Sequence, residues 1–183
     1  SFIGYTAASR SKNSKGAFEE ATKYVVANML QSIHKRLEVE TLYGQTGLGE
    51  LSGTSGLTVT LTAASWAAGI WAAAEKMPIE IRSALGVLRG NAEIASIDLD
   101  TRTLTLDAVP GGTVATDVIY YKGAYGKEFA GIKKIITNNS TLFGIDASVY
   151  SMWKGNTVTV SGDLSLEKIE LAIARAIEKG LDK

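Results

Sequence analysis

Apolar residues recur at helical spacing over one long stretch of the chain and then switch to strict alternation. From Ala17 to Tyr43 there is neither proline nor glycine. Phe18, Val25, Met29, Ile33 and Leu37 share one face, Val26 and Leu30 widen it, and Glu19, Lys23, Lys35, Arg36, Glu38 and Glu40 fall mostly off it. The spacing predicts one unbroken helix over residues 16–43, roughly 40 Å long at about 1.5 Å per residue. Gly44 stands where a left-handed cap belongs. A helix of that length needs a long surface to lie against, so it reads as a spine.

Gly44 to Gly56 holds five glycines and reads as a connector. After it the period becomes two. Leu57, Val59 and Leu61 alternate with threonines, Ile79 and Ile81 with charges, and Leu104 and Leu106 with Thr103 and Thr105. Ile94, Ile97 and Leu99 and the run Val118–Tyr121 complete the β-rich region. Asp98 to Arg102 fits a hairpin turn, and Pro110-Gly111-Gly112 is a break. The expectation is a small barrel or sandwich over 55–123, with Trp66, Ile70 and Trp71 forming a short helical turn that plugs one end. Further on, Thr157–Val160 reads as a strand. Asp163–Lys179 reads as a second helix with Leu166, Ile169, Ile173 and Ile177 on one face and Gly180 as its stop. Residues 1–15, polar and small, read as an extended arm. The fold class is α+β: a helical host, 16–54 and 124–183, with a β-module looped out at 55–123. Gly53–Gly56 and Gly123–Gly126 should then be spatial neighbours.

Composition narrows the chemistry. The 183 residues include no cysteine, which removes disulfides, thiol catalysis and thiolate metal sites. Lys+Arg and Asp+Glu both number 19, so net charge does not favour nucleic acid, and copies of the chain do not repel one another strongly. The apolar run Ala63–Ala74 is too short for a membrane helix. Ser1-Phe2-Ile3-Gly4 lacks the pattern of a signal peptide, and a start without Met fits either an expression scar or a removed leader.

The search for a site predicts none: no catalytic, cofactor-binding or metal-ligating residue. His34 is the only histidine and has no partner for metal or nucleophile chemistry. Glu19-Glu20 and Glu38 with Glu40 read as solvated helix charge, and Asp98-x-Asp100 reads as a turn because Arg102 replaces a third oxygen ligand. Gly44, Gly47 and Gly49 follow a helix and lack a nearby lysine, unlike a phosphate loop. Asn138 and Asn139 open overlapping glycosylation acceptors without a secretory context. Trp153 reads as the anchor of its turn.

The stretch Lys15-Gly-Ala-Phe-Glu-Glu-Ala21, running into Leu37-Glu-Val-Glu-Thr-Leu-Tyr-Gly44 and Gly47-Leu-Gly49, resembles the spine helix and exit turn of tailed-phage major capsid proteins. Gly131-Ile132, Leu142-Phe-Gly-Ile-Asp146 and Tyr150-Ser-Met-Trp-Lys-Gly-Asn156 resemble the stretch that follows in one branch of that family. The resemblance implies the Hong Kong ninety-seven-type shell fold, with the β-module inserted in its peripheral domain. It implies a non-enzymatic subunit of a virion capsid, assembled in the bacterial cytoplasm from copies of itself, with scaffolding or portal proteins as further partners. Such a shell encloses DNA without binding it specifically and involves no cofactor and no membrane. Family members continue past a position like Lys183, so the chain is expected to be a fragment lacking the C-terminal part. Two other readings stay open: an encapsulin-like cargo shell, and a ligand- or glycan-binding module on a helical stalk, which a concave aromatic patch using Trp66, Trp71 or Tyr120 would favour and burial of those rings would oppose.

Overall fold

The computed structural model describes residues 15–180, with side chains described from residue 22 onward. The expected arm, apart from Lys15, and the side chains of Phe18, Glu19 and Glu20 lie outside these residues. The architecture is mixed helix and sheet, α+β, and the chain divides into two units, 1–40 and 41–183.

The first unit holds most of α1 (Lys15–Tyr43), which runs without interruption and is the longest element among the described residues. Its predicted apolar stripe is not packed away. Val26, Met29, Leu30, Ile33 and Leu37 are all exposed, Ile33 by 51% and Leu37 by 53%. The residue most buried on this helix is Val39, which the stripe does not include. On the polar side Arg36 pairs with Glu40 at 2.7 Å, a helical-turn spacing. The left-handed position after the helix is Gln45 (φ 64°), not Gly44. Its backbone N–H donates to Glu128 Oε2 (3.0 Å), and its side-chain Nε2 donates to the Glu128 carbonyl (2.9 Å). These two bonds hold a non-glycine residue in a conformation it otherwise disfavours.

The second unit is built around a closed antiparallel barrel. Its strands are β1 (Gly49–Ser55), β2 (Thr58–Leu61), β3 (Pro78–Arg82), β4 (Leu88–Asp98), β5 (Thr103–Leu106) and β6 (Val118–Tyr121), ordered β1-β2-β5-β4-β3-β6. Alternation works as the sequence suggests except at Leu57 and Leu99, which lie outside the strands and are exposed. Val59, Leu61, Ile79, Ile81, Ile94, Leu104, Leu106 and Ile119 point inward and are sealed from solvent. Bulges at Leu51/Gly53, Ile81/Arg82 and Ile94/Ser96 add the local curl that closure of a six-stranded sheet requires. Helix α2 (Ala68–Trp71) inserts Ile70 and Trp71 into one end, and Trp66 stacks on Trp71 (centroids 6.2 Å, planes 9° apart). Asp98 makes the β4–β5 turn by accepting the N–H groups of Asp100 (3.0 Å) and Thr101 (3.1 Å).

The glycine-rich connector expected at 44–56 is a turn over 44–48 and a strand over Gly49–Ser55. β1 closes the barrel, pairing with β2 on one side and β6 on the other. Gly49 serves packing, because a Cβ there would run into the Leu61 side chain and come 3.5 Å from Trp71. The barrel therefore begins at Gly49, and its ends meet where Leu48 N–H donates to the Ile119 carbonyl (2.8 Å) and Gly131 N–H to the Gly44 carbonyl (3.0 Å). Expressed alone, residues 44–131 should give a cooperatively folding β-protein by circular dichroism. Residues 55–123 should not, because without β1 the facing edges of β2 and β6 stay unpaired. Equal folding of both segments would contradict this closure.

After the barrel come α3 (Ile132–Ile136), the two-residue strands β7 (Thr141–Leu142) and β8 (Ile145–Asp146), a 3-10 turn at Ser151–Trp153, and α4 (Leu166–Glu178). Gly180 ends α4 with φ 87°. The strand expected at Thr157–Val160 does not form. No sheet edge pairs with it, and the Thr157 carbonyl accepts a hydrogen bond from Arg175 Nη1 (2.6 Å).

Candidate functional site

The most constructed polar cluster lies on the outer face of the barrel. Ile79 and Ile81 face inward, so alternation sends Glu80 and Arg82 outward on β3, beside Tyr120 of β6. The segment following β6 then folds over them. Gly123 N–H donates to Glu80 Oε2 (2.8 Å), Arg82 Nε donates to Glu80 Oε1 (2.8 Å), and Arg82 Nη1 donates to the Gly86 carbonyl (2.9 Å). The Arg82 guanidinium lies 4.2 Å from the centre of the Tyr125 ring, which meets Tyr120 edge-on at 5.1 Å. Glu80 is left 3% exposed.

A second ion pair, between half-buried Arg89 and buried Asp117, fastens the loop before β6. Arg89 reaches both oxygens of Asp117 (3.0 and 3.3 Å), and Val114 N–H donates to Asp117 Oδ2 (3.0 Å). In both clusters each carboxylate meets an arginine and a backbone N–H. The arrangement holds loops on a barrel; neither carboxylate has a second titratable partner poised for proton transfer.

Burial works against the charge of Glu80, but the Arg82 hydrogen bond and charge, with the N–H groups of Gly123 and Tyr125, outweigh it and hold its pKa below the ordinary 4.5. A carboxylate whose folded pKa is depressed stabilises the fold above its unfolded pKa, and that contribution is lost as pH falls through the folded value. Urea unfolding from pH 7 down to pH 3 should show stability falling below about pH 4.5, and Glu80→Gln should flatten that acid limb. An unchanged limb in the variant would remove Glu80 from this role. Burial, with Tyr125 and Glu128 nearby, pushes the Tyr120 phenol up.

The residues singled out by sequence are not brought together. His34 is exposed on α1, Glu40 pairs with Arg36, and Glu38 is exposed. Trp71 and Tyr120 are buried, at 0% and 9% exposure, so they do not form a concave aromatic patch with Trp66. Gly47 packs on β6, where a Cβ would strike Val118. Trp153 donates its Nε1 to the Leu142 carbonyl (3.0 Å) and meets Phe143 edge-on. Asn138 is buried at 4% exposure, donating Nδ2 to the Trp153 carbonyl (3.1 Å), while its own carbonyl accepts Gly155 N–H (2.7 Å). Gly155 is fixed by this crossing, since a Cβ would run into the Ile136 backbone. Sequence reasoning missed the Arg89–Asp117 pair, which no local spacing signals. Glu80 and Arg82 left a trace as charges interleaved with Ile79 and Ile81.

Two grooves border α4. One, of about 440 Å³, is polar, and two of its cations are engaged: Arg175 with the Thr157 carbonyl and Lys179 with the Lys154 carbonyl. The other, of about 410 Å³, is apolar and includes Val158, Val160, Leu164, Ile169 and Ile173. Among the described residues no group of three or more His, Asp or Glu could hold a metal ion, and no helix is long and apolar enough to cross a membrane. Comparison of the chain with protein-family models, curated proteins and solved structures finds no match.

Proposed function

We propose that this chain is a structural subunit of the icosahedral capsid of a tailed phage or prophage, working by self-assembly and without catalysis. The observation that carries the reading is a contrast in packing. The barrel seals its own core, while the elements flanking it leave large apolar side chains in solvent: Ile33 and Leu37 on α1, Met152 (65%) and Val149 (69%) before α4, Ile173 and Ile177 on α4. Exposed apolar area on this scale marks surfaces made to be covered by protein. The order of segments resembling phage capsid proteins supports the choice of a shell over other assemblies.

In this reading α1 is the spine of a peripheral domain and the barrel is an insertion in it. Further copies of the chain, with scaffolding or portal proteins, cover the apolar faces. The shell forms in the bacterial cytoplasm and encloses DNA without specific contacts. Sedimentation velocity over a concentration series tests this on the gene product that carries the chain. Conversion to large closed species is expected; a monomer at every concentration overturns the proposal.

A further inference from the structure

Residues 122–131 join β6 to α3 and form neither helix nor strand. They make a strap with almost no core of its own: Ala124 and Ala130 are its only buried side chains. Inside it the backbone makes turn bonds, from Ala124 N–H to the Tyr121 carbonyl (3.0 Å) and from Lys127 N–H to the Ala124 carbonyl (2.8 Å). Polar contacts tie it down at both ends. At one end Glu80 Oε2 accepts the Gly123 N–H, and the Tyr125 ring lies against the Arg82 guanidinium that holds the other Glu80 oxygen. At the other end Glu128 Oε2 accepts the Gln45 N–H, the Glu128 carbonyl accepts Gln45 Nε2, and the Gly44 carbonyl accepts the Gly131 N–H.

The barrel is held differently, by a sealed interior of leucine, isoleucine and valine side chains and a closed hydrogen-bond ladder. Segments with few buried apolar contacts open at lower free energy than the core they lie on. Two features suit this segment to opening and reclosing. Gly123 (φ 75°) and Gly126 (φ 74°) are left-handed, and a Cβ at either would meet nothing, so backbone freedom and not packing calls for glycine there. Glu80, 3% exposed while the strap is down, regains water when it lifts, which offsets part of the hydrogen bonding lost.

We infer that residues 122–131 open as one unit while the barrel stays folded, and that Glu80 is the catch that holds the unit shut. Opening releases both ties at once and lets the flank, from α3 onward, turn against the barrel with both still folded. The strap operates in the single chain, whether or not copies assemble.

Native-state hydrogen exchange of the full chain, read amide by amide across a series of low urea concentrations, tests this. The Gly123, Lys127, Gly131 and Gln45 amides are expected to share one opening free energy with little urea dependence. The hydrogen-bonded amides of Leu61, Ile94 and Leu106 in the barrel should exchange far more slowly. In Glu80→Gln all four strap amides should exchange about 10- to 100-fold faster, the range for losing a hydrogen bond to a charged group, and the barrel amides should remain the slower set. Tyr125→Ala changes the strap side of the same contact, at a residue already 40% exposed, and should accelerate the same four amides. If the four exchange only as fast as the barrel, the strap has no opening of its own. If Glu80→Gln accelerates Gly123 and leaves Gln45 and Gly131 unchanged, the strap does not open as a unit. Either result overturns the inference.

Discussion

Trp71→Ala is expected to cost the barrel about 3–5 kcal/mol, the range for deleting a buried large aromatic. Trp71 is fully buried, stacks on Trp66 and lies against the position where Gly49 omits a side chain. Alanine would leave a cavity that the surrounding strands cannot fill, because β1, β2 and β6 are fixed to one another by closure. Domains of this kind have about 5–15 kcal/mol in total, so the variant should unfold at much lower urea than the parent. Trp71→Phe retains a ring against Trp66 and should lose far less. Equal losses for the two substitutions would show that ring stacking and volume at this site do not govern the barrel.

Ile33→Asp should have the largest effect on assembly and almost none on the isolated chain. The sequence stripe suggests a packed face, on which a charge would cost several kcal/mol. With Ile33 already half in solvent, aspartate there changes little for the monomer, within about 0.5 kcal/mol for an exposed site. Once a neighbouring surface covers the face, the same charge must be desolvated without a partner, and assembly should stop. Circular dichroism melts and sedimentation, run on Ile33→Asp beside Glu38→Gln as an exposed control, separate these effects. A melt lowered by many degrees in Ile33→Asp would mean that the face is packed within the monomer.

How much of this was legible depends on whether the determining contacts are local. α1 announces itself because nothing between Ala17 and Tyr43 breaks a helix, and the alternation of Val59–Leu61, Ile79–Ile81 and Leu104–Leu106 maps directly onto the barrel interior. β1 was hidden because its first glycine answers to a side chain elsewhere: Gly49 makes room for Leu61, and composition alone makes the run look like a loop. Thr157–Val160 misleads in the opposite way, having β-forming residues and no edge to join. The left-handed residue after α1 is Gln45 and not Gly44 because Glu128, 83 positions away, holds it there. The part-buried ion pairs follow the same logic. Arg89 and Asp117 are 28 residues apart and meet only once β4 and β6 are in place.

Electron microscopy of the purified gene product that carries this chain tests the central claim most directly. The account predicts closed particles of uniform diameter, built from the parent protein and absent from Ile33→Asp preparations. Particles that fail to form at any concentration, from a protein that remains folded and instead retains an immobilised glycan, would contradict it.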